Sequence, residues 1–107
     1  MNAGEAGHWH NQALFKKGVC LEKKSDDDGA LATFYQVLDA PPRTDRTTEL
    51  FWFYKAGFNA ARLLETGLHW DSAAKVYQKL VSAGGSRSEE ARRRLSQLRL
   101  EHFLWTE

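Results

Sequence analysis

Residues 14–42, LFKKGVCLEKKSDDDGALATFYQVLDAPP, hold the pattern that decides the fold. Leu14, Gly18 and Leu21 share one helical face, with Phe15, Val19 and Glu22 beside it. Ser25-Asp26-Asp27-Asp28-Gly29 breaks that period, and its aspartates suit the cap and the electropositive first turn of a new helix. Ala30, Leu31, Phe34, Val37 and Leu38 then return at helical steps until Pro41 and Pro42, which lack the donor to continue. The stretch predicts a helix from about His10 to Lys24, a tight turn, and a second helix from about Asp27 to Leu38.

The intervals recur further along. Gly18 to Ala30 is twelve residues, Ala30 to Phe34 four, and Phe34 to Pro42 eight. Ala61, Ala73, Tyr77 and Gly85 reproduce the same three intervals, 43 residues later. Small residues let paired helices approach closely, so Gly18 is expected to face Ala30, and Ala61 to face Ala73. Phe34 and Tyr77 are expected to fill the space between neighbouring repeats.

Leu14-x-x-Lys17-Gly18-x-x-Leu21, Ala30-x-x-x-Phe34 and Pro42 together resemble the tetratricopeptide pattern, a helix-turn-helix repeat of ~34 residues. The second set, Gly57-x-x-Ala60-Ala61-x-x-Leu64 with Ala73-x-x-x-Tyr77 and Gly85, is similar to it. Leu14 and Gly57 stand where the family often has Trp, and Gly85 replaces the closing proline. The excess of the 43-residue spacing over the family period is placed in the region of Arg43 to Phe53, as an N-terminal extension of the third helix.

Outward from the repeats, a third helix is predicted from about Asp45 to Thr66, after a polar link from Arg43 to Thr48, with Leu50, Tyr54, Phe58, Ala61 and Leu64 as its stripe. Gly67 suits the left-handed residue that commonly closes a helix. Asp71 is expected to cap a fourth helix, which ends at Gly84-Gly85. Ser86-Arg87-Ser88-Glu89 has capping-box spacing and opens a fifth, with Ala91, Leu95, Leu98, His102 and Trp105 along one side. Leu95 stands where a third repeat would want a small residue, so this helix is expected to close the stack as a cap.

The fold class is all-α: two antiparallel helix-turn-helix repeats (about 11–44 and 54–87) and a capping helix (about 87–105), a segment of a right-handed α-solenoid. Residues 1–9 are expected to be a flexible lead and 10–107 a single domain.

Fifteen basic residues against fourteen acidic leave a net charge of +1, without the basic excess usual in nucleic-acid binders. No run of ~18 apolar residues suggests a membrane span, and the polar start lacks the features of a secretory signal. The expectations are therefore no nucleic acid, no membrane and a cytoplasmic setting. Cys20, the single cysteine, excludes an internal disulfide and is expected to be buried.

Catalytic and metal motifs are missing. There is no phosphate-binding glycine loop, no G-x-S-x-G and no H-E-x-x-H. His8 and His10 point in different directions on a helix, and no third ligand joins them; His69 and His102 are isolated. Asp26-Asp27-Asp28 lacks the alternation of a calcium loop. Arg92-Arg93-Arg94 fans around a helix and is diluted by Glu89, Glu90 and Glu101. No enzyme, cofactor or metal site is expected. Phe51-Trp52-Phe53-Tyr54 stands out, because successive helical residues point about 100° apart and cannot all reach one neighbour. Any ring left exposed is expected to mark an interaction surface, or the cut where further repeats were removed.

The resemblance implies a scaffold that binds a peptide or partner protein on a concave face lined by the first helix of each repeat. By matching turns, the lining is Gln12, Phe15, Val19 and Glu22, then Lys55, Asn59 and Arg62. Some family members hold a C-terminal carboxylate with Lys and Asn. Here Phe15 and Val19 fill places that should be polar, which favours a mixed apolar and basic groove. The alternatives are a helical bundle with a small-molecule pocket under the aromatic cluster, and a structural fragment of a longer superhelix. Two repeats make a short stack, so self-association as a homodimer through the third helix is a further expectation.

Overall fold

The structure, a computed structural model, describes residues 3–39 and 47–102, with side chains from Asn11 in the first helix and from Leu50 in the third. Among the described residues five helices follow in order: α1 Ala3–Lys23, α2 Asp27–Asp39, α3 Thr47–Thr66, α4 Trp70–Ala83 and α5 Ser88–His102. There is no strand among the described residues. Each helix packs on its neighbours in sequence, and α1 also packs on α3. The protein is a serial stack of two helical hairpins closed by a fifth helix.

The repeat is written into the backbone. After α1, the amide of Ser25 donates to Glu22 O and that of Asp26 to Leu21 O. After α3, the amide of Leu68 donates to Glu65 O and that of His69 to Leu64 O. Both sets are 43 residues apart, and so are the two left-handed residues, Ser25 (φ 64°) and Leu68 (φ 66°). The first helix of each hairpin is also long. α1 has 21 residues and α3 has 20, so the two first helices of the hairpins are of nearly equal length. α1 accordingly starts at Ala3, ahead of the expected His10.

Capping follows the sequence in the first hairpin and departs from it later. Asp26 Oδ1 accepts the Gly29 amide at 3.0 Å, which makes it the cap of α2, with Asp27 and Asp28 in the first turn. Asp71 does not cap α4. That helix starts at Trp70 after His69, which makes no side-chain cap, and Asp71 sits within the first turn. The box at Ser86 does not close either. Glu89 pairs with Arg92 at 2.6 Å, while the Ser88 hydroxyl donates to Gly85 O at 3.0 Å. Pro41, Pro42, the link at 43–46, Trp105, and the side chains of His8, Trp9 and His10 lie outside the described residues.

Leu68, not Gly67, takes the left-handed conformation that closes α3. This backbone is unfavourable for a side chain with a Cβ by roughly 1–2 kcal/mol. The leucine is 69% exposed, so its side chain returns little by burial. Leu68→Gly is therefore expected to stabilise the protein by about 1 kcal/mol in urea unfolding, since relief of strain exceeds the entropy glycine adds to the unfolded chain. A lower midpoint would show that Leu68 is held by contacts that outweigh its strain.

The core is formed by Ala30, Phe34 and Val37 of α2, Ala56, Ala60 and Ala61 of α3, Ala73 and Leu80 of α4 and Ala91 of α5, all fully buried. Two aromatic pairs mark the repeat again: Phe15–Phe34 at 5.8 Å and Phe58–Tyr77 at 6.1 Å. Both ring pairs are within hairpins, and Phe34 and Tyr77 are themselves buried. Gly18 meets the Phe34 ring: a Cβ there would lie 2.5 Å from Cε1. Cys20, two positions on, is exposed and not buried.

The Tyr54 hydroxyl joins α3 to the end of α4, donating to Leu80 O at 2.9 Å and also approaching Gly84 O. Gly84 and Gly85 both have positive φ (74° and 88°), which turns the chain into α5. At the other end of α4, Trp70 stacks on His102 of α5 with ring centroids 3.7 Å apart, so His102 is not isolated.

Candidate groove across α1, α3 and α5

α1 and α3 lie side by side, and their facing residues are those singled out in the sequence. The Lys55 ammonium sits 5.4 Å from the Phe15 ring centre and 5.3 Å from that of Phe51. Further along the seam, Arg62 pairs with Glu22 at 2.7 Å and donates to Asn59 Oδ1 at 2.8 Å. The Asn59 amide in turn donates to Lys55 O at 2.8 Å. The structure thus brings five of the seven expected residues into two linked clusters, while Gln12 and Val19 are half-buried on α1.

These contacts decide what the residues offer a partner. The hydrogen bond and charge of Arg62 hold the Glu22 carboxyl below the usual carboxylate range, and Glu22 raises Arg62 in return. Arg62 is bound to the Glu22 carboxylate and Asn59 to Arg62 and the Lys55 carbonyl, so in a clamp built on Lys55, Asn59 and Arg62 only the Lys55 side chain has no hydrogen-bond partner among the described residues. Both partners of the Glu22–Arg62 pair are solvated, and such pairs contribute ~0–1 kcal/mol to stability.

The aromatic run resolves by direction. Phe53 and Tyr54 are buried, Trp52 turns to Phe15 with centroids 5.5 Å apart, and Phe51 remains 47% exposed. Trp52 also holds a buried indole N–H with no acceptor among the described residues.

The sequence reading missed the second wall. Between α3 and α5 lies a cleft of about 340 Å³ lined by Phe58, Asn59, Arg62, Glu65, Thr66, Arg87, Glu90 and Arg94. Its floor is the Phe58 ring, with the Arg87 guanidinium 4.4 Å and that of Arg94 5.4 Å from its centre. Arg87 and Arg94 share Glu90, at 3.1 and 3.7 Å. Hydrogen bonding from Arg87 holds the Glu90 carboxyl low, helped by the charges of Arg87 and Arg94. Beneath, the Tyr77 hydroxyl donates to Glu65 Oε2 at 2.6 Å, and burial followed by that carboxylate pushes the phenol up to about 12. α5 follows α4 in the chain as the first helix of a further repeat would, and that order was the available signal for Arg87, Glu90 and Arg94.

No group of three or more His, Cys, Asp or Glu capable of holding a metal occurs among the described residues, and no helix among them is long and apolar enough to cross a membrane. Residues 12–42 match the family model described as tetratricopeptide repeat. No curated protein and no solved structure gives a significant match to the chain.

Proposed function

We propose that this chain, whose residues 12–42 form a tetratricopeptide repeat, is a non-enzymatic scaffold that binds a partner segment in the groove across α1, α3 and α5. Repeats of this family are typically non-catalytic interaction modules. The observation that carries the reading is the open aromatic and cationic end of the α1–α3 seam. Phe51 is exposed, and Lys55 lies over two rings with no carboxylate on it among the described residues. Exposed rings beside a polar rim are the composition of binding surfaces, where aromatic anchors supply most of the energy.

The test is selection of binders from a displayed library of short random segments, followed by binding to Lys55→Glu and Phe51→Ala variants of unchanged helicity. Selected segments should lose about tenfold or more in affinity to each variant, a change of ~1.4 kcal/mol. Segments that bind both variants as well as the parent chain would move the site off this face.

A further inference from the structure

Among the described residues, Lys55 is the groove cation held by rings without a carboxylate. Its ammonium lies 5.4 Å from the centre of Phe15 on α1 and 5.3 Å from that of Phe51 on α3. Trp52 stands beside both, its ring centroid 5.5 Å from Phe15 and 4.9 Å from Phe51. Arg87 and Arg94 also lie over a ring, that of Phe58, but both reach Glu90, and Arg62 reaches Glu22. One ammonium thus sits among three aromatic side chains, held by their quadrupoles alone.

The rings are spaced for a wider occupant. Heavy atoms in contact lie ~3.5–4.0 Å apart, so a bare ammonium resting on a ring sits about that close. A methylated nitrogen stands off by one further N–C bond, about 1.5 Å, which places it roughly 5.0–5.5 Å from the ring. Both distances at Lys55 fall in that range. Solvation points the same way. A lysine ammonium is strongly hydrated and carries three N–H donors, whereas a quaternary ammonium has none and gives up little water to enter a ring-lined site. With no carboxylate on the site, each methyl group removed leaves an N–H without an acceptor. Resting on the groove reading above, we infer that Phe15, Phe51 and Trp52 form a cage for a trimethylated lysine of the bound segment, and that Lys55 fills it as a built-in competitor until displaced. The cage shares the α1–α3 seam with Glu22, Asn59 and Arg62, so a segment running along that seam can present such a side chain.

Magnetic resonance titration of the full chain, read at the Trp52 indole N–H, tests this with acetyl-Ala-Lys-Ala-amide bearing zero, one, two or three methyl groups on the lysine nitrogen. Two further probes are its neutral isostere, with carbon in place of the quaternary nitrogen, and phosphocholine. The trimethylated peptide should bind about tenfold more tightly than the unmethylated peptide or the isostere, with affinity rising at each methylation. Phe51→Ala, at an exposed ring, should remove most of that preference. Lys55→Gln should strengthen trimethyl-lysine binding about two- to fivefold, because it takes away the competing cation–ring contact. Equal binding of the isostere would show burial of methyl groups without a cation site. Weaker binding to Lys55→Gln would deny the competition, and phosphocholine as tight as the peptide would give the cage to a free headgroup. Each of these results overturns the inference. The library segments of the preceding test carry no methylated residue and leave Lys55 seated. If they depend on Lys55 and Phe51 while methylation makes no difference, the cage fails and the groove stands. If they ignore both residues, the groove reading itself fails.

Discussion

Phe34→Ala is expected to destabilise the protein by about 3–5 kcal/mol, the usual loss for truncating a buried phenylalanine. Phe34 is fully buried, packs on Phe15 at 5.8 Å and fills the space over Gly18. The site cannot collapse to close the cavity, because its neighbours are already small or belong to rigid helices. A domain of this size has roughly 5–15 kcal/mol in total, so the variant should unfold at much lower urea, read by circular dichroism. Peptide affinity should fall as well, since Phe15 carries one of the two rings beneath Lys55. A loss under ~1 kcal/mol would mean that the ring is not part of the core.

Gly18→Ala sets two effects against each other. Alanine is favoured over glycine within a helix by about 1 kcal/mol. Against this, the new Cβ would lie 2.5, 2.8 and 2.9 Å from three atoms of the Phe34 ring, far inside contact distance. The ring is buried and has no free space to turn into, and overpacking of this kind costs about 1–3 kcal/mol. Destabilisation should win by about 1–2 kcal/mol. In a Phe34→Leu background, where the obstructing ring is gone, the same substitution should cost less, so the double-mutant cycle should show a coupling of ~1 kcal/mol or more. Additive effects would place the constraint on Gly18 somewhere other than this ring.

That glycine illustrates what the sequence discloses. Its smallness and its interval to Ala30 were legible, because close packing and helical periodicity leave a one-dimensional trace. The object it makes room for was not. A helical side chain leans back over the preceding turn, so the Phe34 ring reaches Gly18 and is what a Cβ there would meet first. Gly67 and Leu68 show a similar limit. Glycine marks the favoured residue for a left-handed turn, but the bond from the His69 amide to Leu64 O fixes the position one residue later. Along the groove, the faces of α1 and α3 could be counted off by turns. Whether Arg62 is committed to Glu22 depends on two helices meeting across 40 residues of chain. The α5 wall was missed because a helix with Leu95 at its small-residue position was read only as closing the stack, while Arg87 just ahead of it and Arg94 within it lie over Phe58.

The serial packing of the helices also sets an order of assembly. Hairpins between sequence neighbours close short loops and carry a small entropic barrier, so α1 with α2, and α3 with α4, can form early and independently, on the microsecond-to-millisecond scale of helical domains. The seam of α1 with α3, which carries Phe15, Lys55, Glu22 and Arg62, exists only after both hairpins are in place. The proposed binding face is thus completed only after both hairpins have formed and is lost once they part. A partner lying across it acts as a late brake on dissociation of the two hairpins, slowing unfolding while leaving the rate of hairpin formation unchanged.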